Sequence, residues 1–408
     1  MMKQLNTLLM MLVLLAFTAP GQNTDRAQAV DTDPVAAFLQ SPGIDPEATS
    51  IYIYDLNSGK TIATHNASKP LVPASVMKCV TTASLLDRAG RKWRYETPVY
   101  ITGNTRKGVL DGNILVEASA DPSVNTRHDP GSDNIIDEIV QALRQEHIDT
   151  VTGCIMVDEH RFAGPAINPT WASGDLPNAY GTGTHGFNFE DNASGNASVR
   201  DPGARFRSRL TDALKANGIT VLGRDIPNDT KRRLIGTHRS AEVQDIMRSC
   251  MMRSDNQYAE AMLRTFSHLK GRDGSTASGA DEEIKLWKHK GAPLKDVRIV
   301  DGSGLSRSNR LTADFLGSVL GEMAHDPWYA SFFPLAGQEG TLKRFMCGGR
   351  LEGYVALKTG SMNGIQSYAG YKINEDYAPT HVVVVMMNNL KNRARARTDL
   401  QTMLERLF

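Results

Sequence analysis

Apolar positions along the chain fall into short β-prone runs towards both ends and helical patterns between them. Ile51 to Tyr54 and Thr61 to His65 are short β-prone runs about the turn composition Asn57-Ser58-Gly59-Lys60, and they predict a hairpin. From Val76 through Leu86 the chain is mostly apolar around a helical circumference, so a buried helix is expected there. It should stop near Ala89-Gly90, where glycine suits a helix end. Near the C-terminus, Val355 to Lys358, Ser367 to Lys372 and His381 to Met387 predict three strands, and Ala394 to Phe408 a final amphipathic helix. The hairpin and these strands are expected to share one sheet.

The pattern changes between about Trp93 and Arg239. Short strands such as Val99 to Thr102 and Ile114 to Glu117 alternate with turn-rich segments. One helix carries Ile135, Ile136, Ile139, Val140 and Leu143 on one side and runs into Ile148 and a strand from Cys154 to Val157. A second carries Phe206, Leu210 and Leu214 and runs into Gly218 to Leu222. The stretch 93–239 is read as an inserted domain between two halves, 30–92 and 240–408, of a catalytic domain. Helices follow at Ala241 to Met251, from Ser254-Asp255-Asn256 through Leu269, at Asp281 to His289 and at Thr312 to Ala324, with Gly271 to Gly279 as a Gly/Ser-rich loop.

At 408 residues the chain is long enough for two or three domains. A formal charge of +1, with acids and bases interspersed, gives no broad basic field for nucleic acid. Lys3 followed by the apolar run Leu8 to Phe17 is a secretory signal pattern, with cleavage after Ala19, after Gly21 or at Ala27-Gln28-Ala29 and an uncleaved signal anchor as the main alternative, so residues 1–29 are set aside as a signal peptide. The mature protein is expected to be exported to the periplasm or cell envelope, with no membrane span left. Cys79, Cys154, Cys250 and Cys347 show no Cys-x-x-Cys spacing and are read as buried small hydrophobes. Neither they nor the ten histidines suggest a metal, and no cofactor is implied.

Candidate chemistry begins at Ser75-Val76-Met77-Lys78. A hydroxyl and an amine three residues apart at a helix start project from the same face. Burial disfavours the ammonium, so Lys78 is a candidate base for Ser75. A chain of this length holds roughly two Ser-x-x-Lys tetrads by chance. The plainer reading is a capping serine and a snorkelling lysine. Two further motifs shift the balance. Ser254-Asp255-Asn256 offers a second hydroxyl to relay a proton and an amide able to bond Lys78 and a substrate carbonyl. Lys358-Thr359-Gly360, at the end of a predicted strand, offers a cation and a hydroxyl for a carboxylate, and a glycine that lets an extended peptide lie close. Singly these are a helix cap and a strand end; together, in this order, they form the signature of penicillin-binding proteins and class A β-lactamases.

On these motifs the chain resembles the low-molecular-mass D-alanyl-D-alanine carboxypeptidase/endopeptidase family of penicillin-binding proteins that carries a large insertion. The 176-residue separation of Lys78 and Ser254 fits such an insertion. Val300 to Arg307, Leu335 to Leu342, Asp121-Pro122-Ser123, Val157-Asp158 with Phe162, and Trp171 with Asp175-Leu176 are similar to other family landmarks. The family commonly nests a further small domain between segments that correspond to Phe187–Asn192 and Val199–Pro202. Only Ala193 to Ser198 separates them here, so the nested domain is expected to be missing. Ala118-Ser119-Ala120 stands where the family often has glycines.

The resemblance implies an α+β penicillin-binding/β-lactamase-like transpeptidase fold, an antiparallel sheet flanked by helices, with an inserted α/β domain. It implies attack by Ser75 on the bond between two D-alanines of a peptidoglycan stem peptide, with Lys78 as base directly or through Ser254. Asn256 would orient the lysine and the substrate. Lys358 and Thr359 would hold the terminal carboxylate, and the N–H groups of Ser75 and Ser361, just past Gly360, the oxyanion. Asp175 would meet the amino group of a diamino acid side chain, or else serve only as a loop cap. Endopeptidase action on cross-links and covalent trapping by β-lactams are implied too. The rivals are a β-lactamase-like hydrolase, for which no Glu-x-x-x-Asn match is found, a related serine esterase, which would usually carry Tyr-x-Asn at 254–256, and a non-catalytic penicillin-sensing or wall-binding protein, which would be expected to have lost a motif.

Overall fold

The computed structural model describes residues 33–128, 134–227 and 231–408; the expected signal peptide lies outside them. The hairpin strands Thr49–Asp55 and Lys60–His65 join Val355–Met362, Ile365–Ile373 and Pro379–Met387 in one five-stranded antiparallel sheet. Thr49–Asp55 pairs with Pro379–Met387 at the centre, and Val355–Met362 forms one edge.

Both faces of this sheet are buried, which explains the unbroken apolar run in its central strand. Successive side chains of a strand point to opposite faces. Val382, Val384 and Met386 therefore pack under the helices Met77–Ala89, Val243–Arg253, Asn256–Leu269 and Ala313–Met323. Val383, Val385 and Met387 pack on the other side against Pro34–Leu39 and Arg393–Leu407. The result is helices, sheet, helices, the α+β layout expected.

Residues 96–239 build two four-stranded sheets. One runs Arg232–Arg239, Glu96–Thr102, Ile114–Glu117, Ile155–Asp158; the other Thr220–Val221, Thr150–Val151, Val109–Asp111, Asn104–Arg106. The helices Ile135–Gln145 and Pro202–Ala216 close a separate apolar cluster over them, centred on Phe187, Phe189 and Phe206. Each helix leads into a short strand, and the two strands pair in parallel, Thr150 with Thr220. The strand expected at Cys154 to Val157 is not the one in this pairing; as Ile155–Asp158 it lies in the other sheet, parallel to Ile114–Glu117.

Several details differ from the sequence reading. Arg232–Arg239 was not foreseen as a strand, because its first three residues are exposed and its composition is mainly polar. The strand bearing Lys358 continues to Met362, so Lys358-Thr359-Gly360 lies within it rather than at its end. The loop after Gly271 is shorter than expected. The Ser275 hydroxyl accepts from the Ser278 N–H and starts a helix at Thr276. Of the cysteines, Cys79 and Cys250 are buried, but Cys154 is half-buried and Cys347 exposed; all four are free thiols.

Candidate active site

Ser75 sits in a 3₁₀ turn, Ala74–Val76, that leads directly into the helix Met77–Ala89. Its side chain caps nothing, against the plainer reading. Ala74, just before it, holds a left-handed φ of 52°. That conformation costs an ordinary residue roughly 1–3 kcal/mol and persists only where its surroundings impose it. Here two glycines do. A β-carbon on Gly304, whose φ is 79°, would lie 1.9 Å from the Ala74 oxygen; one on Gly360 would lie 2.7 Å from the Pro73 oxygen and 3.1 Å from the Ser75 nitrogen. The bare side of Gly360 therefore faces the Ser75 turn, whereas the sequence reading assigned it to an approaching peptide.

Lys78 is fully buried one helical turn on. Its Nζ lies 3.0 Å from Ser75 Oγ, 2.7 Å from Asn256 Oδ1 and 2.8 Å from the Ser303 carbonyl oxygen. Burial pulls its pKa below the ordinary lysine value, although Cys250, Asp255, Asp301 and Glu260 oppose the shift. An uncharged amine has two N–H donors and one lone pair. With two carbonyl oxygens taking the donors, the lone pair is left for the Ser75 hydroxyl proton. Cys79 and Cys250 beside it are not competing nucleophiles, because burial pushes both thiols up to about 12.

Asn256 opens the helix Asn256–Leu269 after Asp255, whose side chain accepts from Tyr258 N–H as its cap. The other end of its amide donates to the Tyr180 carbonyl at 2.8 Å. Ser254 adopts a left-handed cap, φ 60°, and its hydroxyl is not among the three partners of Lys78. Asp175 touches this core indirectly, by accepting from the Tyr180 hydroxyl at 3.1 Å. The segment that carries both is tied to the loop after Val300, where Trp171 Nε1 donates to Asp301 Oδ2 at 2.9 Å.

The edge strand supplies the third wall. Lys358 is fully buried and its Nζ donates to the Thr359 carbonyl at 2.7 Å. Burial first, and the nearby Lys78 second, bring its pKa down to about 7. Thr359 Oγ1 donates to Thr341 Oγ1 at 2.9 Å. Ser361 Oγ accepts from Arg393. Backbone groups of odd-numbered residues in this strand point away from the sheet. Val355 oxygen and Leu357 N–H pair outward with Ala336 and Pro334, and Thr359 and Ser361 follow on the same rim. That rim is where an extended chain can add as a strand.

Ser303, Tyr180 and Thr341 escaped the sequence reading as site residues. The first two act through backbone carbonyls, which no residue type announces. Among the described residues, no group of three or more His, Cys, Asp or Glu side chains is placed to hold a metal.

A serine and a buried lysine on a helix under the edge of a helix-flanked antiparallel sheet define a penicillin-binding-type serine hydrolase. The chain belongs to the D-Ala-D-Ala carboxypeptidase 3 (S13) family, which it matches over residues 32–195 and 188–407. It is 24% identical to a D-alanyl-D-alanine carboxypeptidase of Actinomadura sp. (strain R39), over 83% of this chain and 77% of the relative. Its fold is similar to the crystal structure of penicillin binding protein 4 (dacB) from Haemophilus influenzae, with a TM-score of 0.77, 21% identity, and 91% and 97% of the two chains covered. The same Haemophilus protein complexed with a β-lactam gives a TM-score of 0.70 at 21% identity, over 92% and 98%.

Proposed function

We propose that Ser75 is the nucleophile with which this serine-type D-Ala-D-Ala carboxypeptidase cleaves peptidoglycan stem peptides, and that Lys78 is its general base. The observation that carries this is the three-way contact of Lys78 with Ser75, Asn256 and Ser303. Ser75 Oγ attacks the carbonyl between the two D-alanines as its proton passes to Lys78. The oxyanion is received by the N–H groups of Ser75, free by its place in the first helical turn, and of Ser361 on the outward rim. D-Ala departs with a proton returned from Lys78, directly or through Ser254, and water resolves the acyl-enzyme. Lys358 and Thr359 bind the substrate carboxylate. The remaining Nδ2–H of Asn256 is available to the substrate's peptide carbonyl.

The same acyl step serves a cross-link as donor, and a β-lactam traps Ser75 by presenting a strained amide. Asp175, held by Tyr180 above Asn256, receives a cationic stem-peptide side chain. Residues 93–239 act as an inserted domain that carries this rim. The overlap of the two family matches at 188–195 supports a missing nested domain. The protein works outside the cytoplasm, where its substrate lies; no described helix is long and apolar enough to cross a membrane.

The test is incubation with fluorescent penicillin and, separately, with a pentapeptide ending in D-Ala-D-Ala, beside Ser75→Ala. Label on the wild type alone together with D-Ala release is expected. Rapid penicillin turnover without peptide cleavage would mark a β-lactamase, and neither label nor cleavage a binding protein.

A further inference from the structure

Glu260 is buried and takes no part in the steps above. It stands one turn beyond Asn256 on the same helix, so both face the catalytic helix. Its Oε1 accepts the N–H groups of Gly302 at 3.0 Å and Ser303 at 2.9 Å. The next peptide group carries the Ser303 carbonyl that takes a Lys78 proton, and its own N–H, on Gly304, donates to Asp301 Oδ1 at 2.9 Å. Thr81 Oγ1 donates to the Gly302 oxygen at 2.8 Å from below. Glu260 thus holds the chain just before this peptide unit and Asp301 holds the unit's own N–H, and that unit meets the base.

We propose that Glu260 is a positioning residue for acyl transfer: it fixes the 303–304 peptide so that the Ser303 carbonyl occupies one Lys78 hydrogen and turns the amine's lone pair toward Ser75. The inference rests on the assignment of Ser75 and Lys78 given above. The charged and titratable groups facing Glu260 are Asp301 in the loop, Lys78 on the catalytic helix, Glu283 on the helix Thr276–His289 and Arg264 on its own helix. Burial, then Asp301, push its carboxyl up to about 8. A neutral carboxyl still presents an acceptor oxygen to both N–H groups, so geometry rather than charge is the requirement.

The experiment measures the rate of acylation by fluorescent penicillin against pH for wild type, Glu260→Ala, Glu260→Gln and Glu260→Asp, with Ser75→Ala as control. Glu260→Ala is expected to lose about ten- to a hundredfold at the optimum, as misplaced catalytic groups do. Its acid limb should move to lower pH, since the ammonium loses a fixed acceptor. Glu260→Gln, which keeps an oxygen at the Oε1 position, should stay within about threefold of wild type. Glu260→Asp keeps the carboxyl group but is one methylene short, and should be slower than Glu260→Gln. If circular dichroism shows that Glu260→Ala does not fold, the order of Gln over Asp decides alone. Wild-type rates in Glu260→Ala, an unmoved acid limb, or Asp matching or exceeding Gln overturns the inference. Labelling of Ser75→Ala would instead overturn the underlying assignment.

Discussion

Gly360 lies against the backbone of Ser75, so close that a β-carbon would stand 3.1 Å from the Ser75 nitrogen. The edge strand and the nucleophile turn are therefore set at a spacing that even one methyl group would change. Gly360→Ala should lower penicillin acylation by about a hundredfold. The stability loss should be about 1–3 kcal/mol, as for other overpacked sites. Acylation kinetics and thermal melts read the two effects separately.

Asn256→Asp places a carboxylate 2.7 Å from the Lys78 amine in place of an amide oxygen. An adjacent negative charge favours the ammonium and so removes the base. The acid limb of acylation should rise by about 1–3 pH units. A pH-rate profile with the limb unmoved would show that Lys78 is not the titrating base.

Lys358 carries a pKa of about 7 before substrate arrives. Only its protonated form attracts an anionic tail, so KM for a D-Ala-D-Ala peptide should rise as pH climbs through about 7. A carboxyl-amidated peptide should lack that rise. Steady-state assays from pH 6 to 9 on both peptides test it.

Glu283 is buried beneath the catalytic helix, and burial pushes its carboxyl up to about 8 from an ordinary 4.5. Between those values the folded state holds a proton that the unfolded chain releases. The stability this gives is full below 4.5 and lost as pH rises through 8. Melting temperature should fall by on the order of a few degrees from pH 5 to 9. Glu283→Gln should flatten the slope only in part, since Glu260 is shifted in the same sense.

Much of this architecture was legible because its signals are periodic or chemically rare. The segment after Ser75, apolar around its circumference, gave the buried helix, and β-prone runs about a turn composition gave the hairpin that joins the C-terminal strands. What stayed hidden was carried by main chain or by polar composition. Ser303 serves through a carbonyl, and Arg232–Arg239 pairs as a strand despite an exposed, basic first half. Glu260 left one trace, its spacing of four from Asn256, which places both on one helical face.

The short hairpin of Ala193–Ser194 and Ala197–Ser198 also bears on the site. Asn196 oxygen accepts from Ala179 N–H at 2.8 Å, and Ser198 N–H donates to Pro177 oxygen at 2.9 Å, directly beside Tyr180, whose carbonyl grips Asn256. Six residues thus buttress the active-site wall from outside. This outer prop is therefore joined by two main-chain links to the segment whose carbonyl holds Asn256, one contact away from the Lys78 amine.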